Sequence, residues 1–322
     1  MRVVVLAAFA CTPSAPPVSA EVVPTVARQE AEVVASPRPD AVTPAVDLDF
    51  SLDDFELSRD VRRDWLLDDL RAIGRFAPLF PLQPLDRTLA AFATTDDTCT
   101  PVEHGFGIAV RWCALPGGYS TCRLQLISHE GVVFVAEARC TASEKSWSAI
   151  EGVITKAYQT ALVPRGFSVE RNVASLSVRD DVVREAALAS IAKALGPRSG
   201  AVVPPELAEP FALLDSPSET LTIGTACGAG GSPPRGNLAM QRLVDAGRED
   251  LLRDVMRGMN AGGRIYGYIG LRLLGRNTAA DDRVFDRLEA LGLELETCRG
   301  CRSTRETAKA IDLGRFRRFI GK

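Results

Sequence analysis

Cys298 and Cys301, in the stretch "LELETCRGCRSTRETAKAI", have the spacing that thiol–disulfide chemistry uses. A strand-like run leads into them, and Ser303 or Thr304 could cap a helix that follows. A helix N-terminus stabilises a thiolate, so strand, CxxC and helix in that order make a redox pair. A structural bridge, Cys298–Cys301 or Cys227–Cys298, uses the same residues without catalysis. A thioredoxin-like site would also need a βαβ unit and a nearby proline-bearing strand. Helical hairpins precede this motif instead.

A second stretch, "LTIGTACGAGGSPPRGNLAM" at 221–240, asks whether its glycines cradle phosphate. A dinucleotide loop needs G-x-G-x-x-G/A so that the last glycine lets helix and strand approach. Gly228 and Gly230 supply the first two, but Pro233 takes the third place. A P-loop ends in G-K-[ST], whereas Gly231 is followed by Ser232 and Pro233. The double proline also removes two amide donors where an anion would need them. The stretch therefore reads as a turn into a helix over Leu238–Ala246, with Asn237 as its cap.

Other chemistries find little support. The two histidines, His104 and His129, fit no zinc-ligand spacing and are expected at the surface. No G-x-S-x-G elbow marks a hydrolase, and no motif calls for a cofactor. "GGRIYGYIGL" sets Gly263, Gly267 and Gly270 along one helix, which suggests close helix contact. Tyr266 and Tyr268 beside them are the candidates for a tyrosine-lined binding surface. The closing "GRFRRFIGK" interleaves basic residues with Phe316 and Phe319. With a net charge of −3, from 41 acidic and 38 basic residues, it reads as a last helix that tucks its rings inward. No nucleic-acid partner is expected.

These residues need elements to hold them. The 322 residues suggest two domains plus extras. "MRVVVLAAFACTPSAPPVSAEVV" has the layout of an export signal over 1–20, with cleavage after Ala20 or lipidation at Cys11. Residues 21–45, rich in Pro, Ala and Val, form a linker that buries too little to order itself. No run of 18 apolar residues makes an ordinary membrane span, so a lipid anchor would be the membrane contact. Residues 46–95 form a helical segment, with apolar residues at helical spacing from Val61 to Ile73 and a short helix near Leu85–Phe92. From 96 to 198, "FGIAVRWCAL", "STCRLQLIS" and "VVFVAEARC" are strands separated by turn sequences, with helices over Ser143–Leu162 and Asp180–Leu195. This is a small antiparallel meander with helices on one face.

Residues 199–322 read as helical hairpins joined at Gly247, Gly262, Gly275 and Gly292. "NLAMQRLVDAGREDLLRDVMRGM" and "GGRIYGYIGLRLLG" resemble HEAT or armadillo-type repeats. That resemblance implies a stacked-helix surface that binds other proteins.

Eight cysteines behind an export signal suggest disulfides, and strand parity assigns some of them. Cys122, Leu124 and Leu126 share one face of their strand. Val132, Phe134, Ala136, Ala138 and Cys140 share one face of the next. Superposing the apolar faces sets Leu126 opposite Ala136 and Cys122 opposite Cys140. In the strand before, Phe106, Ile108, Val110 and Trp112 form the apolar face. Cys113 then points away, a poor partner for Cys122, which leaves it to Cys99.

The sequence thus predicts an exported α+β protein: a disulfide-bearing sheet domain, then a HEAT-like helical domain. Its expected work is non-catalytic interaction or scaffolding in the cell envelope, through protein partners on the helical domain. Thiol–disulfide exchange by Cys298 and Cys301 is the rival.

Overall fold

The computed structural model describes residues 48, 52–55, 57, 59–79, 99–228 and 230–318. The export segment, Cys11, the linker and the short helix near 85–92 lie outside them. The fold is α+β. Helix α1 (Arg63–Phe76) precedes strands β1 (Cys99–Gly105), β2 (Ile108–Pro116), β3 (Ser120–His129) and β4 (Val132–Ala142). Helix α2 (Trp147–Ala157), which runs on into a π turn over Tyr158–Leu162, leads to β5 (Ser168–Glu170) and β6 (Val173–Arg179). The six strands form one antiparallel sheet in the order β1-β2-β3-β4-β6-β5.

Five helices follow: α3 (Asp181–Leu195), α4 (Pro205–Asp215), α5 (Arg235–Asp245), α6 (Glu249–Met256) and α7 (Ala261–Leu274). Helix α8 (Ala279–Ala290) and the hairpin β7 (Glu294–Arg299)–β8 (Arg302–Thr307) end the regular structure. Local chemistry explains several starts. Asp180 accepts the amides of Val182 and Val183 at the head of α3. Thr278 and Asp281 form a reciprocal capping box on α8. Helix α5 begins earlier than its sequence suggests. Pro234 is its cap, and Asn237 lies inside the first turn, donating to the Gly224 carbonyl at 2.7 Å.

Helices cover both faces of the sheet, which corrects the expectation of one covered face. On one side, Leu66, Leu70 and Ile73 of α1, with Ile150 and Ile154 of α2, pack on Leu115, Leu124 and Leu126. On the other, α3 and the C-terminal helices pack on Ile108, Val110, Ile127 and Phe134. The strands are buried both ways at this end, so simple alternation cannot name a single core face. The second core runs through position 199, where the sequence suggests a boundary, because Ala187, Ile191 and Leu195 of α3 belong to it.

Two details of parity change with this. Ile127 lies opposite Val135 and Ser128 opposite Val133, so Phe134 is the extra residue of a bulge. The bulge turns its ring to the helical side, away from Ala136 and Cys140. Cys113 shares its face with Cys122, since it lies opposite Leu124 while Leu115 lies opposite Cys122. Face parity therefore does not separate Cys113 from Cys122. Direct opposition selects the partners: Cys99 faces Cys113 and Cys122 faces Cys140. Both pairs are disulfides, with Cα–Cα distances of 4.3 and 3.9 Å.

The C-terminal helices gather around α7, which touches α4, α5, α6, α8 and β1. In a stacked repeat each unit touches only its neighbours, so this hub differs from that plan. Glycines allow the approach. A Cβ on Gly267 would stand 2.7 Å from the Leu252 carbonyl oxygen and 2.8 Å from the Met256 nitrogen. Where a last helix is expected, over 314–322, the described residues form a short 3-10 turn (Leu313–Arg318) whose Phe316 is buried edge-on against Tyr266, and Phe319 lies outside the described residues.

Candidate functional site

The fold brings the two motifs of the C-terminal half together. Residues 221–228 run beside β7: the Ile223 amide donates to the Glu296 carbonyl at 2.7 Å, and Cys298 returns a bond to Ile223 at 3.0 Å. Gly228 donates to the Gly300 carbonyl at 2.7 Å and Gly300 to Ala226 at 3.0 Å. These amides are spent on carbonyls, so they do not form an anion cradle. Cys298 is bonded to Cys227, with Cα atoms 5.6 Å apart, and is 5% exposed. No helix follows Cys301; the chain turns at Gly300 (φ 57°) into β8. The expected helix caps, Ser303 and Thr304, are strand residues. The dipole that would activate a thiolate is therefore not supplied here.

A cleft of about 410 Å³ lies over this junction. Of its charged side chains, Arg235 pairs with Glu219 at 3.6 Å and Glu296 accepts the Ser303 hydroxyl at 3.2 Å, while Arg302 takes no ion pair among the described residues.

The tyrosines of α7 do not line a surface. The Tyr266 hydroxyl donates to the Thr222 carbonyl at 2.7 Å and accepts the Gly224 amide at 3.3 Å. The Tyr268 hydroxyl donates to Asp282 at 2.9 Å, and its ring stacks on Phe285 at 4.0 Å. Both are buried. The helix face that could have made a groove is filled by its neighbours, as the glycine contacts require.

Both histidines are buried as well, against the surface expectation. His104, 3% exposed, accepts the Ala261 amide at Nδ1 (3.0 Å), so it serves the first turn of α7. Burial, aided by the nearby Arg264 cation, pushes its pKa down to about 4. Arg264 is fully buried and donates to the carbonyls of His104, Gly258 (2.7 Å) and Met259 (3.2 Å). Its guanidinium also lies 4.8 Å from the Phe106 ring centre. Burial draws its pKa to about 9, which leaves it a cation at neutral pH. This junction ties β1 to α7. Sequence reasoning missed it because a lone His and a lone Arg, 160 positions apart, carry no local pattern.

The open ground is on the sheet. Beyond the reach of α3 and the C-terminal helices, no described helix covers the helical side of the sheet. Cross-strand rows of Trp112–Gln125–Glu137–Ser177 and Ala114–Arg123–Arg139–Ser175 lie on that side, with Trp112, Arg123, Glu137, Arg139 and Ser177 exposed and Gln125 buried. Gln125 marks the margin, donating to the Ser218 carbonyl at 3.1 Å. Trp112 is 45% exposed. Arg123 and Arg139 lie directly opposite each other, and neither takes a hydrogen bond or ion pair among the described residues. The surface hollow is about 810 Å³. Sequence alternation did mark Trp112, but as a core residue, because it shares parity with Ile108 and Val110.

Among the described residues, no group of three His, Cys, Asp or Glu side chains is placed to hold a metal ion. No described helix is long and apolar enough to cross a membrane. Comparison with family models, with curated proteins and with solved structures finds no match.

Proposed function

We propose that this protein is an exported, non-catalytic binding protein of the cell envelope, and that it meets its partner on the open sheet face. The observation that carries this reading is Trp112, a large ring exposed on the same sheet face as two arginines that are unpaired among the described residues. Aromatic and arginine side chains dominate the energetics of contact surfaces. A half-exposed Trp in a hollow of this size is costly to leave wet and useful once covered.

Export is supported by the three described disulfides, Cys99–Cys113, Cys122–Cys140 and Cys227–Cys298, which persist in oxidising compartments. The N-terminal layout over 1–20 agrees with it. Thiol–disulfide exchange through Cys298 and Cys301 draws no support from the site, since Cys298 is buried and joined to Cys227.

The test is site-specific photo-crosslinking in envelope extracts. One reactive residue replaces Trp112 and another replaces Leu238, which is comparably exposed on α5. A discrete cross-link from position 112, absent from 238 and lost with Arg123→Glu, is the expected result. Equal labelling from both positions would overturn the reading.

A further inference from the structure

We propose that one end of the open face binds a tetrahedral oxyanion of the phosphate class, anchored by Arg123 and Arg139. The proposal rests on the reading of that face as the contact surface and names its chemistry. Where the sheet meets the β2–β3 turn, a cavity of about 470 Å³ is bounded by Tyr119, Thr121, Arg123, Arg139, Thr141 and Ser143. Arg123 lies directly across from Arg139, and Thr121 directly across from Thr141, so two successive rungs of one face, with the Cys122–Cys140 rung of the other face between them, present these four side chains together. Like charges directly opposite repel, which an anion between them would relieve.

All the polar side chains of this lining can donate. The hydroxyls of Thr121, Thr141 and Ser143 have no partner among the described residues. The Tyr119 hydroxyl is engaged on the α1 side, accepting the Arg62 amide at 2.8 Å while its ring lies 5.2 Å from that of Trp65, so it is not counted among the donors. The turn that carries it is rigid. Asp69 of α1 accepts the amides of Tyr119 (3.0 Å) and Ser120 (2.8 Å) and the Ser120 hydroxyl (2.7 Å). Among the described residues, no carboxylate lines the cavity. The acids nearest along the strands are Glu137, on the same face two residues before Arg139, and Glu170 at the sheet edge. Neither pairs with either arginine among the described residues.

The number of donors chooses the ligand. Two guanidinium forks and three hydroxyls exceed what the two oxygens of a carboxylate can accept, whereas a phosphate presents three or four. The cavity is larger than the ion. The neighbouring hollow that holds Trp112 shares Arg123 and Arg139 with it, so the rest of a phosphorylated molecule has room to run towards that ring.

The test uses the full mature chain at low ionic strength. Calorimetry and tryptophan emission would follow titration with inorganic phosphate and with glycerol 3-phosphate. Sedimentation with phosphatidylcholine vesicles, with and without phosphatidic acid, forms a second arm. Saturable phosphate binding is expected, weakened roughly tenfold by Arg123→Gln or by Arg139→Gln. Thr141→Val should weaken it by a smaller factor, and Arg139→Lys should fall between wild type and Arg139→Gln. Vesicle binding that needs phosphatidic acid assigns a lipid source; binding of the soluble phosphates alone assigns a free one. No saturable binding, or binding unchanged in the double Arg123→Gln/Arg139→Gln variant, would overturn the proposal, with circular dichroism confirming that the variants fold. Anion binding without a cross-link at position 112 would remove the protein-partner reading and leave this site standing. A cross-link without anion binding would do the reverse.

Discussion

On one face of the sheet, α1 and α2 close over a core in which two disulfides lock neighbouring strands, each spanning fewer than twenty residues. On the other, helices distant in sequence meet the same strands through a buried arginine, a neutral histidine and one disulfide that closes a separation of 71. The first core is held by links between strands that already pair. The second is held by links that bring remote segments into register. A local staple therefore adds to a sheet that hydrogen bonding already defines, whereas a long-range link helps to decide which segments meet at all.

The largest effect that would sharpen this contrast lies at Arg264. Arg264→Ala leaves the carbonyls of His104, Gly258 and Met259 without their donor in a dry site, which should cost about 3–5 kcal/mol. Denaturant unfolding would measure it. A loss below about 1 kcal/mol would mean that the junction is incidental to the helical core.

The disulfides should rank by the loops they close. On the chain-entropy model, removing Cys227–Cys298 as a double alanine variant should cost about 4 kcal/mol and removing Cys122–Cys140 about 3 kcal/mol. Urea midpoints of the two variants give the order. A reversed order would place the greater dependence on covalent links in the α1 side of the sheet.

The histidine gives an effect no larger than that of the shorter staple, and it depends on pH. His104 has its folded pKa lowered from 6.5 to about 4, so between those values the unfolded chain binds the proton and the folded chain does not. Its contribution is complete above pH 6.5 and is lost as pH falls towards 4, by about 3 kcal/mol in all. His104→Asn should lose that part of the acid sensitivity and keep the part due to carboxylates. Parallel acid slopes for the two proteins would show that His104 is not neutral in the fold.

The rungs of the sheet were legible before the fold was. Cys122 faces Cys140 because strand alternation and a tight "HEG" turn leave little choice of register. The caps of α3 and the glycine spacing on α7 were legible for the same reason: each is a relation among residues a few positions apart. The face of Cys113, the turn of Phe134 and the burial of Tyr266 were not. Each depends on what lies across a sheet or beside a helix, and a local pattern holds no record of that.

The site divides along the same line. CxxC spacing suggested a redox pair, but whether Cys298 meets Cys301 or a distant cysteine is decided by the run of 221–228 beside β7, which brings Cys227 to it. Trp112 has the parity of a core residue, and it is exposed only because the helices that bury Ile108 and Val110 stop short of it. Sequence alone determined the strands of the meander, their register and the cap of α3, because those follow from near-neighbour stereochemistry and periodicity; the β7–β8 hairpin and the start of α5 did not follow from it. Tertiary structure alone decided which side chains are covered, because burial is a property of surfaces that meet across long separations in the chain.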